Sequence, residues 1–263
     1  PEYRCNHCRY CKTGHYNLCE AMGFIGLMGN GGMAEQVRVP AYMLHVLPEA
    51  VSFRQAAVLE PAAVGEHALN QSSLQGGDTC LIFGLGPIGL LLVMLAKLRG
   101  IDNICAVDIS TERLDKAQQF GARWVVRGDA PALIDHLREL SNGGFDTVFE
   151  AAGSQATLTT AVHAVKKGGE VILVGLMGNV SLDAFHLVNN EIRLLTSVGY
   201  RDVYPQLIRY LADGKLDLSS IVTRTVGLDQ AVNDGFEALL GSKQHIKILV
   251  NPNPQLTDNE LLA

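Results

Sequence analysis

The pattern of apolar and polar positions along the chain changes near residue 78. Before this point, apolar residues are scattered among glycines and turn formers, with short strand-like runs at 34–39 and 43–47. After it, short apolar runs alternate with segments of about 10 to 15 residues whose apolar positions recur at helical spacing. Such alternation is typical of βαβ units. The pattern predicts an irregular, mostly β region followed by an α/β domain with a doubly wound parallel sheet.

The individual elements follow from the apolar runs and from the Gly and Pro residues that bound them. Strands are predicted at 79–83, 103–108, 124–127, 147–150, 171–174 and 193–197. Helices are predicted at 87–99, 111–120, 131–141, 155–165 and 184–189. Further downstream we expect a helix at 203–213, a strand at 221–226, a helix at 228–240, a strand at 246–250 and a frayed tail at 252–263.

Composition and charge narrow the class of protein. The 263 residues are 48% hydrophobic and 18% charged, which is typical of a globular protein, and the net charge of −6 argues against a nucleic-acid partner. The longest apolar run, 88–98, is too short to span a membrane. Cys80 and Cys105 lie in apolar runs and are expected to be buried thiols. A disulfide framework is not expected, which indicates a reducing, cytoplasmic location.

A Gly-rich turn joins the first strand and the first helix of the α/β domain. Gly84, Gly86 and Gly89 fit the spacing G-x-G-x-x-G. In this motif the first glycine allows a tight turn, the second lets the backbone approach a pyrophosphate, and the third lets the helix pack on the strand. Pro87 and Ile88 open the helix, and Pro87 has no N–H to lose there. The turn predicts a dinucleotide site at the helix N-terminus.

Asp108 sets the expected type of dinucleotide. It ends the second strand, 19 residues after Gly89, where the adenosine ribose hydroxyls are expected. Its carboxylate would accept a hydrogen bond from a 2′-hydroxyl and repel a 2′-phosphate, which favours NAD. Arg113 keeps NADP open as an alternative, because a nearby guanidinium could bind the phosphate; otherwise it packs on the adenine.

A second motif lies near the start of the chain. Cys5, Cys8, Cys11 and Cys19 have the spacing C-x2-C-x2-C-x7-C. Four thiolates complete a tetrahedral shell around zinc and leave no open position, so this site is predicted to be structural. An iron–sulfur cluster is the alternative for cysteines at this spacing.

Together these motifs resemble the zinc-dependent medium-chain alcohol dehydrogenase family, and within it most of all the 2,3-butanediol dehydrogenases, followed by sorbitol and threonine dehydrogenases. The resemblance covers essentially the whole chain. It rests on the cysteine lobe, residues 23–26, 31–35 and 59–62, the Gly-rich turn and Asp108. It implies that 1–63 is the C-terminal part of a GroES-like catalytic domain, that 64–200 is an NAD-binding Rossmann domain, and that 201–263 returns to the catalytic domain and ends in a tail.

The resemblance also implies a second, catalytic zinc held by a cysteine, a histidine and a glutamate. Only the glutamate maps onto this sequence, at Glu60; otherwise Glu60 is an acid favoured by the dipole of a helix N-terminus. In the family, the other two ligands precede the cysteine lobe, and the chain has no initiator Met. We therefore expect an N-terminally truncated fragment that is inactive by itself.

The nicotinamide is expected to lie against Gly175, Leu176 and Met177 and against Gly199 and Tyr200. In polyol dehydrogenases an arginine often precedes this tyrosine. Gly199 stands in its place here, which disfavours sorbitol-like specificity.

The implied function is NAD- and zinc-dependent oxidation of a secondary alcohol or vicinal diol, with 2,3-butanediol and acetoin as the leading pair. The zinc would polarise the alcohol oxygen while hydride passes to the nicotinamide. The alternative is a catalytically inactive, zinc-stabilised NAD-binding module. A third possibility, nucleic-acid binding by the cysteine lobe, is disfavoured by the acidic charge. The family implies a homodimer or homotetramer formed through edge strands near 193–197 or 171–174.

Overall fold

The chain divides into two units in the computed structural model, which describes residues 2–242 and 244–253. One unit combines the described residues of 1–63 and 198–263, and the other consists of residues 64–197. The first unit begins with two short antiparallel strands and several single-turn helices. These elements are β1 (Glu2–Tyr3), α1 (Arg9–Lys12), a 3₁₀ turn (Tyr16–Leu18), β2 (Gly23–Phe24), a 3₁₀ turn (Ala41–Met43), α2 (Phe53–Ala56) and α3 (Leu59–Gln71), which continues into the second unit.

Six strands and five helices alternate along residues 64–197. They are β3 (Thr79–Phe83), α4 (Pro87–Leu98), β4 (Asn103–Asp108), α5 (Thr111–Gln119), β5 (Trp124–Arg127), α6 (Leu133–Leu140), β6 (Phe145–Glu150), α7 (Gln155–Ala164), β7 (Val165–Leu173), α8 (Ala184–Asn189) and β8 (Arg193–Thr196). The strands are all parallel and pair in the order β5-β4-β3-β6-β7-β8. Because the order reverses at β3, the predicted doubly wound sheet is confirmed.

The central strands are covered on both faces, which explains their continuous apolar sequences. Leu81, Phe83, Val148 and Val171 belong to one core cluster and are at most 1% exposed. Burial of each such side chain contributes roughly 1.5–3 kcal/mol. Cys105 belongs to the same cluster, and burial raises the pKa of its thiol to about 12. Cys80 is also fully buried, so both predicted buried thiols are confirmed.

Two strands begin earlier than the sequence predicts. β6 starts at Phe145 and β7 at Val165, and these two residues pair in register. The start of β7 is missed because 166–169 reads Lys-Lys-Gly-Gly, which carries no apolar signal. β7 also pairs with both β6 and β8, so the prediction that 171–174 lies at a sheet edge is wrong. The edge on that side of the sheet is β8.

The first unit resumes after residue 197 with a parallel strand pair. Its elements there are α9 (Tyr204–Ala212), a 3₁₀ turn (Ser219–Ile221), β9 (Val222–Gly227), a 3₁₀ turn (Leu228–Gln230), a π-helix (Ala231–Glu237), α10 (Ala238–Gly241) and β10 (Lys247–Asn251). The single helix predicted over 228–240 is thus three helical segments of different pitch. Val232, Asn233 and Gly235, which have low helix propensity, all lie in the π-helical segment.

The strand-like runs predicted at 34–39 and 43–47 are not strands in the described chain. A strand requires a neighbour for its backbone N–H and C=O groups, and no described strand pairs with either run. Instead, Ala41–Met43 forms a 3₁₀ turn directly after Pro40. The predicted tail falls mostly outside the described residues. None of the described helices has both the length and the apolar character needed to cross a bilayer.

Candidate dinucleotide site and cysteine cluster

The three glycines of the turn between β3 and α4 meet different constraints. Gly84 has φ of +84°, and a Cβ there would lie 2.6 Å from the backbone nitrogen of Ala152. A Cβ at Gly89 would overlap the carbonyl oxygen of Gly84. Gly86 has open space where a Cβ would project. Gly84 and Gly89 therefore shape the turn, while Gly86 leaves room for a ligand.

The N-terminus of α4 adjoins this open space. Gly86 is the N-cap residue and Pro87 occupies the first turn, and no side chain caps the helix. The N–H groups of Ile88 and Gly89 lie in the first turn, where backbone donors lack an intrahelical partner. With the positive end of the helix dipole, they form an environment suited to phosphate.

Asp108 ties the end of β4 to the Gly-rich turn. Its Oδ2 accepts a hydrogen bond from Leu85 N at 2.7 Å, and its Oδ1 accepts one from Ser110 N at 2.9 Å. Arg113 Nη1 lies 3.9 Å from Oδ2. The structure therefore brings the predicted residues of the turn, Asp108 and Arg113 together, and it pairs the guanidinium with the carboxylate.

A cavity of about 350 Å³ opens beside Asp108 at the carboxyl ends of the strands. Ile109 lies at its wall and is 63% exposed, which makes it a flat apolar surface available to a ring. Gly84 and Asp108 also line this cavity and were predicted from the sequence, whereas Ile109 and the remaining wall residues were not. The available signal for Ile109 was its place directly after a strand end, since ligands of doubly wound sheets bind at that edge. The other wall residues include Phe83, Gly84, Val107, Gly128, Leu133, Ala152 and Thr157.

Glu150, the last residue of β6, joins the ends of β6 and β7 at the same edge, because its backbone carbonyl accepts hydrogen bonds from Val174 N at 2.9 Å and from Gly175 N at 2.8 Å. This residue is fully buried, and its Oε1 accepts hydrogen bonds from the backbone N–H groups of Ala152 at 3.1 Å and Gly153 at 2.9 Å. A Cβ at Gly175 would overlap the backbone nitrogen of Gly153. Gly175 is thus needed for close packing of the two strand ends. Leu176, which follows it, is 96% exposed.

The four N-terminal cysteines form one cluster. Their Sγ atoms all lie within 4.8 Å of one another, and no disulfide joins them. Backbone N–H groups point at the sulfurs: Cys5 N donates to Cys19 Sγ at 3.3 Å, and Cys8 N donates to Cys5 Sγ at 3.3 Å. Four converging thiols of this kind fit the tetrahedral Cys₄ shell of a structural zinc.

The thiol pKa values within the cluster differ because the surroundings of the cysteines differ. The N–H of Cys11 lowers the pKa of the Cys8 thiol to about 6, and the N–H of Cys5 lowers the pKa of Cys19. Burial raises the pKa of Cys11 to about 12. Zinc binds cysteine as thiolate, so a bound cation would displace the protons that remain on the less acidic thiols.

Glu60 lies in the first turn of α3 and is half-buried. Burial raises the pKa of its carboxyl group above the usual value. Among the described residues, the cysteine cluster is the sole group of three or more side chains placed to hold a metal ion. The described residues thus do not by themselves form the second zinc site that the resemblance implies, and Glu60 would be a single ligand to it.

Gly199 and Tyr200 belong to the same unit as Glu60. Gly199 has φ of +56°, and the backbone N–H of Tyr200 donates to Glu2 Oε1 at 3.2 Å. Burial raises the pKa of Tyr200, and it raises the pKa of Tyr204 to about 12. The negative charge of Glu60 raises both pKa values further. The predicted residues Glu60 and Tyr200 are therefore electrostatic neighbours.

Two family profiles match the chain. One, described as zinc-binding dehydrogenase, matches residues 87–213, and another, described as alcohol dehydrogenase GroES-like domain, matches residues 1–49. The second match confirms the GroES-like part of the predicted fold.

Two curated relatives align with most of the chain. It is 36% identical over 242 residues to an (R,R)-butanediol dehydrogenase of Bacillus subtilis (strain 168), covering 91% of this chain and 70% of the relative. It is 31% identical over 257 residues to a sorbitol dehydrogenase of the same strain, and the alignment covers 96% of this chain and 73% of the relative.

Solved structures are similarly close. The crystal structure of 2R,3R-butanediol dehydrogenase from Bacillus subtilis has a TM-score of 0.88 at 34% identity, covering 96% of this chain and 72% of that one. A protein assigned to the zinc-binding dehydrogenases from Sinorhizobium meliloti 1021, bound to NADP, has a TM-score of 0.89 at 28% identity, covering 96% and 75%. A short chain alcohol dehydrogenase from Escherichia coli CFT073, complexed with NADH, has a TM-score of 0.90 at 26% identity, covering 95% and 75%.

The profile matches, the identity to relatives over most of their length and the shared fold agree with the cysteine cluster and the Gly-rich turn. The chain belongs to the zinc-dependent medium-chain alcohol dehydrogenase family and is an oxidoreductase.

Proposed function

We propose that the protein transfers hydride between a secondary alcohol or vicinal diol and NAD, with 2,3-butanediol and acetoin as the substrate pair. The observation that carries the proposal is the Gly-rich turn closed by Asp108, which leaves open space at a helix N-terminus beside an apolar cavity. The resemblance to butanediol dehydrogenases in sequence and in structure supports the choice of substrate.

NAD is the proposed dinucleotide, with Gly84, Gly86, Pro87, Ile88 and Gly89 around its pyrophosphate. The Asp108 carboxylate faces the cavity, where it favours ribose hydroxyls over a 2′-phosphate. Arg113 is paired with this carboxylate, which reduces the positive charge it offers to a phosphate. One similar structure holds NADH and another holds NADP, so these structures do not choose between the two dinucleotides. The proposal of NAD therefore depends on the negative charge of Asp108.

The nicotinamide end is proposed to lie against Gly175, Leu176 and Met177 and against Gly199 and Tyr200. The close packing required at Gly175 and the full exposure of Leu176 support the first of these segments. When bound, the nicotinamide supplies the hydride acceptor.

The cysteine cluster is proposed to hold a structural zinc through Cys5, Cys8, Cys11 and Cys19. Convergence of the four sulfurs supports this assignment. Glu60 is proposed as one ligand of a catalytic zinc, the ion that would polarise the alcohol oxygen. We further propose that the protein is a cytoplasmic homodimer or homotetramer, since its six cysteines are unpaired and β8 lies at a sheet edge.

A second candidate function is that of a catalytically inactive, zinc-stabilised NAD-binding module. The specific observation in its favour is that the described residues group one metal-binding cluster and leave Glu60 as a lone ligand. The two candidates share the dinucleotide site and differ in whether an alcohol is oxidised.

Native mass spectrometry of the protein from its natural source, combined with a dehydrogenase assay, separates the candidates. Two zinc ions per chain and reduction of NAD by 2,3-butanediol are the expected results. One zinc ion, tight NADH binding and no alcohol oxidation would establish the binding module instead. Absence of NADH and NADPH binding would overturn both.

A further inference from the structure

A cavity of about 220 Å³ lies within the unit that contains Glu60. Some buried polar atoms of the residues that line it have no hydrogen-bond partner. Glu2, Arg4, Tyr200 and Tyr204 are among the residues around it. The guanidinium of Arg4 lies 4.4 Å from the ring centroids of both Tyr16 and Tyr42, so aromatic contacts occupy this cation. In the described chain, no ion pair joins Arg4 to Glu2.

Glu2 is the first of two lining residues, besides Arg4 with its Nε, that have a buried polar atom without a hydrogen-bond partner. The residue is 7% exposed, and its Oε1 accepts the N–H of Tyr200 at 3.2 Å. Its Oε2 is buried without a hydrogen-bond partner. Burial of an unpaired carboxylate oxygen is costly, and native proteins rarely leave one without a ligand, water or functional role.

Tyr200 is the second unpaired group. It is 5% exposed, and its buried hydroxyl makes no hydrogen bond within 3.5 Å, although burial and the nearby side chain of Tyr204 both raise its pKa. Its ring meets that of Tyr204 edge-on, with centroids 5.2 Å apart, which fixes the direction of the hydroxyl. A phenol both donates and accepts hydrogen bonds, whereas an ionised carboxylate only accepts them.

Gly199 explains how Glu2 reaches this position. A Cβ at residue 199 would overlap Glu2 Oε1. The carboxylate therefore fills the space that any side chain at 199 would enter, directly beside the backbone of Tyr200. Because Gly199 has no side chain, the Glu2 carboxylate can pack into the cavity wall at this place.

An acceptor and a donor-acceptor that share one small cavity match the hydroxyl group of a small neutral alcohol. We propose that Glu2 and Tyr200 form a specificity-determining pair that binds the hydroxyl of a diol that is not being oxidised. This inference rests on the proposed function, because it assigns the recognition of the diol's second hydroxyl within that reaction.

The test compares (2R,3R)-butane-2,3-diol with butan-2-ol, which lacks the second hydroxyl. Glu2→Gln and Tyr200→Phe are made in the protein as isolated with its zinc, and Glu49→Gln is the matched control because Glu49 is exposed. The ratio of kcat/KM for the diol to that for butan-2-ol is measured for each. We expect the ratio to fall about ten-fold in both test variants, the effect of losing one hydrogen bond to a charged or well-placed group, and to stay constant in the control.

Tyr200→Phe limits the risk of misfolding, since it keeps the ring that packs edge-on against Tyr204 and removes only the hydroxyl. An unchanged ratio in both folded test variants overturns the inference and leaves the proposed function intact. If the unmodified protein oxidises neither alcohol, the proposed function fails. Calorimetric titration with the diol in the presence of NADH then decides the inference: loss of diol binding in Glu2→Gln supports it, and equal binding overturns it.

Discussion

At the scale of single residues, the Gly-rich turn separates the glycines that shape it from the one that leaves room for a ligand. The carbonyl oxygen of Gly84 blocks any side chain at residue 89, whereas no atom of the described residues, apart from its own chain neighbours, lies within 4 Å of a Cβ at Gly86. Within one motif, glycine is thus required at residue 89 for folding and at residue 86 for ligand binding.

Gly89→Ala is expected to lower the free energy of unfolding by at least about 2 kcal/mol, because backbone cannot yield to the added Cβ. Gly86→Ala, its matched control, should change stability by less than about 1 kcal/mol, since its φ of −66° suits alanine. Gly86→Ala should nevertheless weaken NADH binding, because the methyl group enters the pyrophosphate space. Urea unfolding and NADH fluorescence titration measure the two effects. Equal stability losses in both variants would contradict this division.

Asp108→Ala is expected to cost about 1–3 kcal/mol of stability, because it leaves the N–H of Leu85 without its acceptor. It should also lower the preference for NADH over NADPH by removing the negative charge beside the cavity. Asp115→Ala serves as control, since Asp115 is exposed in the middle of α5 and is expected to change neither property. A preference for NADH that survives in Asp108→Ala would show that another group selects the dinucleotide.

The sequence predicted the residues of the site whose role is encoded locally. The Gly-rich turn and Asp108 follow from spacing next to apolar strands, and these residues do lie together. Glu150 and Glu2 were missed because their roles depend on partners remote along the chain or on unpaired atoms. Nothing near Glu2 in the sequence signals that its carboxylate packs against Gly199.

At the scale of elements, the amino ends of three adjacent strands are joined by one carboxylate. Asp146, in β6, accepts hydrogen bonds from the backbone N–H of Thr79 at 2.7 Å and from its hydroxyl at 2.6 Å, and it pairs with Lys166 of β7. Burial acts to raise the pKa of Asp146, but the hydrogen bonds from Lys166 and Thr79 outweigh it and hold the pKa below its usual value.

A carboxylate with a lowered pKa stabilises the fold above the pKa of the unfolded chain, near 3.8, and this contribution is lost as pH falls through the folded value. Asp146→Asn should therefore reduce stability at pH 6 and flatten its decline below about pH 4. Urea midpoints at several pH values measure this, with Asp115→Asn as control. A decline as steep as in the unmodified protein would refute the linkage.

Elements were predicted well where burial dictates the sequence. The bounds of β3 and β4 agree with the prediction because buried parallel strands are continuously apolar and end at polar turns. The bounds of β5 also agree, although it lies at a sheet edge and only Val126 is buried. The runs at 34–39 and 43–47 carry the same local signal without a described partner strand. The segment 228–240 has helical periodicity, but periodicity alone does not distinguish an α-helix from a π-helix.

At the scale of the whole molecule, the cysteine cluster and the Gly-rich turn belong to different units. Removal of the structural zinc with a chelator is expected to increase proteolysis within residues 5–19 and to release the ion held by the cysteine cluster. Binding of ADP-ribose, which occupies only the dinucleotide half of the site, should persist. Limited proteolysis, metal analysis and calorimetry measure the three effects.

Cys8→Ser should lose the zinc, whereas Cys105→Ala should retain it, because Cys105 is buried in the sheet away from the cluster. Zinc retained in Cys8→Ser, or loss of ADP-ribose binding on chelation, would contradict the separation of the two sites.

The contact between Glu2 and Gly199 also constrains how this protein can diverge. An arginine at 199, as in polyol dehydrogenases, would require the Glu2 carboxylate to move, because its Cβ would overlap Glu2 Oε1, and it would be strained by the φ of +56° at this position. When the Glu2 carboxylate moves away or is removed, the backbone N–H of Tyr200 loses its acceptor, and an arginine at 199 cannot replace it because arginine only donates hydrogen bonds. The two positions form an epistatic pair 197 residues apart, so among relatives a side chain at 199 should accompany loss of the glutamate at 2.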